Sequence, residues 1–207
     1  MEISLNSAGK KYYKEWIFRN ASTTFSTGNH TVILGPNGSG KSTLLQVISG
    51  AILPTEGSLS YLENKNAIAD EHMFRSISIA APYLELIEEF TLREILNFHF
   101  KFKGVYNKLE VKDVLIASGL SEHSEKIFRY FSSGMKQRVK LVLALMSDTP
   151  VVLLDEPCSN LDNSGVAWYK GMIAEFATGR LIIVASNQTK EEYFFCERIL
   201  NMADLKI

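Results

Sequence analysis

With 207 residues and a net charge of −1, the chain has room for one sizeable α/β domain with a full core, or at most two small ones. A pI near 6.4 leaves no global basic field for nucleic acid or anionic lipid, and Cys158 with Cys196 make neither a metal-ligand pair nor a disulfide framework. The start Met1-Glu2-Ile3-Ser4-Leu5-Asn6 lacks the basic and apolar parts of a secretory leader, and no apolar run reaches the length of a membrane span.

Taken in order, residues 3–5, 12–18 and 22–26 read as strands, closed by Thr27-Gly28-Asn29, an antiparallel opening. Lys10, Lys11 and Lys14 fit a solvated edge or hairpin. Residues 31–34 form an apolar run that reads as a buried parallel strand, and 42–48 have helical spacing. Between them lies Gly35-Pro36-Asn37-Gly38-Ser39-Gly40-Lys41-Ser42-Thr43, which fits the phosphate-binding G-x-x-x-x-G-K-[ST] loop in the strand-to-helix setting it requires. Pro54-Thr55-Glu56-Gly57 is a turn, 58–62 a short strand, and 77–80 another, stopped by Pro82.

From Thr91 to Leu120 the pattern turns helical. Thr91-Leu92-Arg93-Glu94 resembles a capping box with Leu92, Ile95, Leu96 and Phe100 on one face. Leu109, Val111, Val114, Leu115 and Leu120 make a second helical face ending near Gly119. We read a helical subdomain, approximately 84–145, inserted in a single domain spanning 1–207. Alternation then resumes with a strand at 151–155, a helix at 166–176, a strand at 181–185 and short strands near 199–200 and 205–207. Buried apolar runs separated by helices argue for a mostly parallel sheet covered on both faces.

The glycine-rich loop turns successive N–H groups toward a phosphate chain, and the helix N-terminus adds partial positive charge. Lys41 would set an ammonium on the β- and γ-phosphates, and the Ser42 hydroxyl would bind Mg²⁺. The ligand is therefore a nucleoside triphosphate. Leu153-Leu154-Asp155-Glu156-Pro157 puts two carboxylates just past a hydrophobic strand. Beside the loop, Asp155 would hold Mg²⁺ and its water shell, and Glu156 would orient or deprotonate the attacking water.

Phe131-Ser132-Ser133-Gly134-Met135-Lys136-Gln137-Arg138 decides between classes of such proteins. With the loop and the Asp155-Glu156 pair, it resembles the Leu-Ser-Gly-Gly-Gln signature of ATP-binding cassette (ABC) ATPases, matching at Ser132, Gly134, Gln137 and Arg138. The resemblance runs from Tyr12 to the C-terminus. It implies a P-loop NTPase core with an N-terminal antiparallel β subdomain, and Mg²⁺·ATP as cofactor. It implies an adenine-stacking aromatic at Tyr12, with Tyr13 and Trp16 as neighbours able to take the role and a core-facing strand aromatic as the alternative. Ser159-Asn160-Leu161-Asp162 resembles the D-loop, whose aspartate helps couple two sites. In the family two copies pair head to tail, each ATP lying between one copy's P-loop and the other's Ser132 and Gly134.

Two positions depart from the pattern. Counting back from Thr91 puts Pro82 where the family has glutamine, and a proline offers no side-chain ligand. The family's switch histidine is replaced by Asn187, whose amide can donate to a γ-phosphate but cannot carry charge or shuttle a proton; Gln188 is a second amide. Slow turnover supported by Glu156 is the expectation. The resemblance implies the cytoplasmic ATP-hydrolysing subunit of an ABC transporter, peripheral on the membrane, docked on a separate integral-membrane permease through a groove near 82–89, with no nucleic-acid partner. Two other functions compete: a soluble assembly ATPase with no membrane partner, and a degenerate ATP-gated regulatory cassette.

Overall fold

The computed structural model describes residues 1–69 and 72–205. Two antiparallel strands, β1 (Glu2–Tyr12) and β2 (Glu15–Ser26), open it. Tyr12 pairs with Glu15, so Tyr13 and Lys14 make a two-residue reversal, with Tyr13 at φ 53°. The expected strand at 12–18 is therefore broken at its second residue, because the strand twist is matched at such a reversal by a left-handed backbone that a strand cannot continue through. After β3 (Thr31–Leu34) and α1 (Lys41–Ile48) come β4 (Glu56–Glu63) and the two-residue β5 (Asn66–Ala67). The first sheet runs β2-β1-β4-β5 and is antiparallel.

A single turn, α2 (Met73–Ser76), leads into β6 (Ile77–Ala80), followed by α3 (Leu92–Lys103), α4 (Val111–Ser118) and α5 (Ser133–Leu145). Then come β7 (Val151–Asp155), α6 (Asn163–Phe176), β8 (Leu181–Ser186) and β9 (Arg198–Asn201). The second sheet runs β6-β7-β8-β3-β9, each neighbouring pair parallel. Along its strands side chains alternate between two buried faces. Val32, Val152, Leu154, Ile182 and Val184 join a core with Leu96, Leu141 and Ile173 of α3, α5 and α6. Ile33, Leu153 and Ile183 join a second core with Leu44 and Leu45 of α1 and Phe18 and Phe25 of β2. Every residue of β7 and β8 is buried, which is why their sequences read as unbroken apolar runs.

Local chemistry sets the helix ends. At α3 the Thr91 hydroxyl accepts from the Glu94 N–H at 3.3 Å, and the Glu94 carboxylate accepts from the Thr91 N–H at 2.8 Å, the capping box read from the sequence. Glycines in left-handed backbone follow α4 (Gly119, φ 68°) and the P-loop turn. α6 begins three residues earlier than the apolar pattern indicates, because Asp162 caps it: its Oδ1 accepts from the Gly165 N–H at 2.7 Å. In the tail, residues Met202–Leu205 form a 3-10 turn rather than a strand, with Met202 and Leu205 buried; Lys206 and Ile207 lie outside the described residues.

Candidate functional site

The parallel register brings the distant motifs to one edge. β8 lies between β7 and β3; Asp155 pairs with Ala185, and Leu34 with Ser186. The loop after β3, the carboxylates ending β7 and the residue after β8 thus leave side by side from the carboxyl ends of adjacent strands, where α/β sheets bind ligands.

Lys41 is 4% exposed. Its Nζ donates to the Gly35 and Pro36 carbonyls at 2.9 and 3.2 Å and lies 3.8 Å from Glu156 Oε1. The ammonium is thus folded into the loop's own carbonyls beside the carboxylate that ends β7. Gly40, at φ 103°, precedes α1; a Cβ there would lie 2.3 Å from Ile17 Cγ2, so the loop closes this tightly only on glycine. A groove is lined by Asn37, Gly38, Gly40, Lys41, Ser42, Thr43 and Glu156, with Ile17 of β2 as its apolar wall. Ile17 is a site residue that no motif marks.

Asp155 is 2% exposed, and neither of its carboxylate oxygens has a hydrogen-bond partner among the described residues. Burial raises its pKa; the Ser42 hydroxyl is near enough to oppose this without hydrogen-bonding geometry, the Glu156 charge adds to the rise and Lys41 opposes it. Buried acceptors without donors are rare, and two on one ionisable group beside a phosphate loop match a hard divalent cation. No group of three His, Cys, Asp or Glu gathers among the described residues; Mg²⁺ needs none, since it is commonly held by one or two protein oxygens together with substrate phosphates and water. The residues present fit the ion. Glu156 sits at φ 46°, its N–H donating to the Ala185 carbonyl at 2.9 Å. A non-glycine residue held in left-handed backbone next to the chemistry is the kind of strain that accompanies function.

Asn187 follows β8 and is exposed, as is Gln188. Pro82 also follows its strand, its carbonyl accepting from Lys140 Nζ at 2.9 Å. The next residue, Tyr83, is 40% exposed and is not among the residues lining the P-loop groove. Burial pushes the Tyr83 phenol up to about 12, the Asp155 charge acts the same way and Gln46 opposes them. A second unmarked group is Glu192, 4% exposed, its carboxyl pushed up to about 7 by burial, against hydrogen bonds from Ser186 and Cys158 and with Glu156 and Asp155 adding to the rise.

Ser132 is exposed and caps α5, its Oγ accepting from the Met135 N–H at 3.3 Å. It is not among the residues lining the P-loop groove. α5 is braced on the loop after β7: Gln137 Nε2 donates to the Pro157 carbonyl at 2.9 Å, and a Cβ on Gly134 would lie 2.9 Å from the Asn160 carbonyl oxygen. Asp162 is occupied as the cap of α6, also accepting from Ser164 Oγ at 2.8 Å. Of the three aromatics near the hairpin, Tyr12 is 44% and Tyr13 100% exposed. Trp16 is half-buried, with Arg19 4.6 Å and Lys11 5.4 Å over its ring. None of the three is a fully buried core residue.

A parallel sheet with a phosphate loop after one strand, paired carboxylates after another and an antiparallel sheet packed against it defines an ATP-binding P-loop protein. Residues 18–159 match the ABC transporter family. The chain is 30% identical over 201 residues to the Bacillus subtilis (strain 168) protein "Uncharacterized ABC transporter ATP-binding protein YybJ", covering 97% of this chain and 92% of that one. It is 31% identical over 192 residues to "Cytochrome c biogenesis ATP-binding export protein CcmA" of Rhizobium etli, covering 91% and 89%. Its fold matches that of the ATP-binding cassette MJ0796, a dimeric post-hydrolysis structure bound to ADP and Pi, with a TM-score of 0.84 at 24% identity over 99% of this chain and 96% of that chain. This chain belongs to the ABC transporter family, as an ATP-binding cassette ATPase.

Proposed function

We propose that residues 1–207 act as one nucleotide-binding domain that binds Mg²⁺·ATP, pairs with a second copy around it, and by hydrolysing it drives a separate membrane permease. The observation that carries this reading is the buried, unpartnered Asp155 carboxylate beside Ser42 and the Lys41 loop. Lys41 exchanges the Gly35 and Pro36 carbonyls for the β- and γ-phosphates, while the N–H groups of 38–43 and the N-terminus of α1 hold the remaining phosphate oxygens. Asp155 and Ser42 hold Mg²⁺, which neutralises charge on the phosphates. Glu156 orients the attacking water and accepts its proton, and the Asn187 amide donates toward the γ-phosphate. Tyr12 offers its exposed ring to the adenine.

At the start of α5, exposed Ser132 and half-buried Gly134 cap the phosphates held by a second copy's P-loop, and Asp162 lies where the two copies meet. Residues 84–145 form the helical subdomain that carries this surface. Within it, ion pairs tie α5 and the turn before it to the segment after β6: Lys136 to Glu88 at 2.8 Å, and Arg129 to Glu89. Lys140 Nζ adds bonds to the Ala81 and Pro82 carbonyls. That segment and α3 enclose an apolar groove with Ile87, Phe98 and Phe102 exposed, which receives the permease. No helix among the described residues is long and apolar enough to cross a membrane. In this reading the chain sits peripherally on the permease, on the cytoplasmic face where ATP is supplied.

The test is phosphate release and light scattering in Mg²⁺·ATP for the parent and Glu156→Gln. The parent is expected to turn over slowly and stay mainly monomeric, while the variant binds ATP, releases no phosphate and accumulates as a dimer. A variant with unchanged phosphate release removes Glu156 from the mechanism; one that stays monomeric in saturating Mg²⁺·ATP removes the sandwich.

A further inference from the structure

Glu192 belongs to no recognised motif, yet its side chain ties together two of the segments that the proposed mechanism uses. It ends a one-turn 3-10 helix, Lys190–Glu192, that follows β8. One carboxyl oxygen, Oε1, accepts from the Cys158 N–H at 3.2 Å; the other, Oε2, accepts from the Ser186 hydroxyl. Its backbone carbonyl accepts from the Tyr169 hydroxyl of α6 at 2.8 Å.

Both partners sit at consequential places. Ser186 is the last residue of β8, and Asn187 leaves from it. Cys158 lies just past Glu156, in a tight turn where the Ser159 N–H bonds the Glu156 carbonyl and the Leu161 N–H bonds the Cys158 carbonyl. That turn holds Glu156 in its left-handed backbone and leads into Asp162. It is also where α5 rests, through Gln137 on Pro157 and Gly134 against Asn160. A buried N–H and a buried hydroxyl each need a partner, and one carboxyl serves both across the gap between two strand ends.

We propose that Glu192 is a positioning residue for ATP hydrolysis, locking the Asn187 segment to the Glu156 turn so that the switch amide and the catalytic carboxylate move as one unit. This inference rests on the roles given to Glu156 and Asn187 above. Without the clamp the two strand ends stay joined through the Glu156 N–H on the Ala185 carbonyl, but the residues beyond that bond, 157–162 on one side and 186–189 on the other, lose their shared anchor. ATP binding, which depends on the P-loop, is left intact. The loss therefore falls on kcat and not on affinity, since small misplacements of a positioned group act on the chemical step.

Two variants separate a clamp from a mere need for a buried acid. Glu192→Ala removes both bonds. Glu192→Gln keeps both, its carbonyl accepting from Cys158 and its amide donating to Ser186 Oγ. In Glu192→Ala we expect amide hydrogen exchange in peptides 186–189 and 157–162 to rise together by about tenfold, kcat to fall by about tenfold and the ATP Kd to stay within about twofold. In Glu192→Gln we expect both exchange and kcat to return to within about threefold of the parent. The inference is overturned if exchange in Glu192→Ala stays at parent level in either peptide, if its kcat is that of the parent, if ATP affinity falls along with kcat, or if Glu192→Gln is as impaired as Glu192→Ala. A parent whose turnover survives Glu156→Gln points to failure of the reading of Glu156 instead, and the exchange measurement then still decides whether Glu192 joins the two loops.

Discussion

Gly40→Ala is the substitution whose effect is best defined by the geometry of the loop. The backbone there sits at φ 103°, and an added Cβ would meet Ile17 Cγ2 at 2.3 Å and Met202 Cε at 3.3 Å. A side chain in left-handed backbone costs about 1–2 kcal/mol, and an overpacked methyl adds roughly 1–3 kcal/mol. If the loop keeps its shape, the folded state loses about 2–5 kcal/mol, and for a chain of this size Tm falls by about 2–4 °C per kcal/mol. If the loop relaxes instead, the first turn of α1 swings away from Asp155 and the loss appears in ATP binding, at about tenfold per 1.4 kcal/mol.

The two routes divide one total, so both readouts are needed: thermal unfolding with and without Mg²⁺·ATP, and the Kd of a fluorescent ATP analogue. Adding Ile17→Ala to Gly40→Ala removes the steric part and leaves the backbone part, so about 1–3 kcal/mol is expected to return. A Gly40→Ala chain with parental Tm and ATP affinity within about twofold of the parent would refute the argument that this loop closes only on glycine.

Three further outcomes follow from other parts of the molecule. Arg180 is 2% exposed and donates to the Leu145, Ser147 and Thr149 carbonyls at 2.5, 3.0 and 2.7 Å, so Arg180→Met leaves the carbonyls beyond α5 unpaired and is expected to lose about 3–5 kcal/mol in urea unfolding; a loss under about 1 kcal/mol would show that water satisfies them. Burial, reinforced by Lys103, pushes the His99 imidazole down to about 4. Its folded pKa lies below the unfolded value near 6.5, so its contribution is complete above pH 6.5 and is lost as pH falls toward 4, by up to about 3 kcal/mol. Glu192, pushed up to about 7 from 4.5, acts in the opposite direction between those values, so the check is the difference between the parent and His99→Gln in urea unfolding at pH 7.5 and pH 5; parallel pH slopes would remove His99 from the account. Finally, Phe98→Ser with Phe102→Ser is expected to abolish copurification with a membrane protein while leaving the isolated chain's ATP turnover within about twofold; an undiminished complex would place the permease elsewhere.

Motifs whose chemistry is confined to consecutive residues were legible from the sequence. The run from Gly35 to Thr43 carries its own conformational signal, the Thr91 and Glu94 pair caps a helix at fixed spacing, and the apolar runs ending at Leu34, Asp155 and Ser186 are long enough to require a sheet buried on both faces. Those features determined the fold class, and the stretch from Phe131 to Arg138 with the Asp155-Glu156 pair determined the family. A hairpin near Lys10, Lys11 and Lys14 was readable, but its reversal at Tyr13 was not placed because no glycine or asparagine marked the left-handed residue, and the start of α6 was missed because its cap, not its apolar face, sets the first turn.

What only the tertiary structure decided is which residues from separate segments meet. Ile17 becomes the wall of the phosphate groove because β2 crosses beneath Gly40. Glu192 gains its two bonds because β7 and β8 end side by side. Such contacts depend on strand order and register, which arise from the packing of two cores against one sheet. No short stretch of sequence carries that information, because the pairing of strand ends is a property of the assembled sheet.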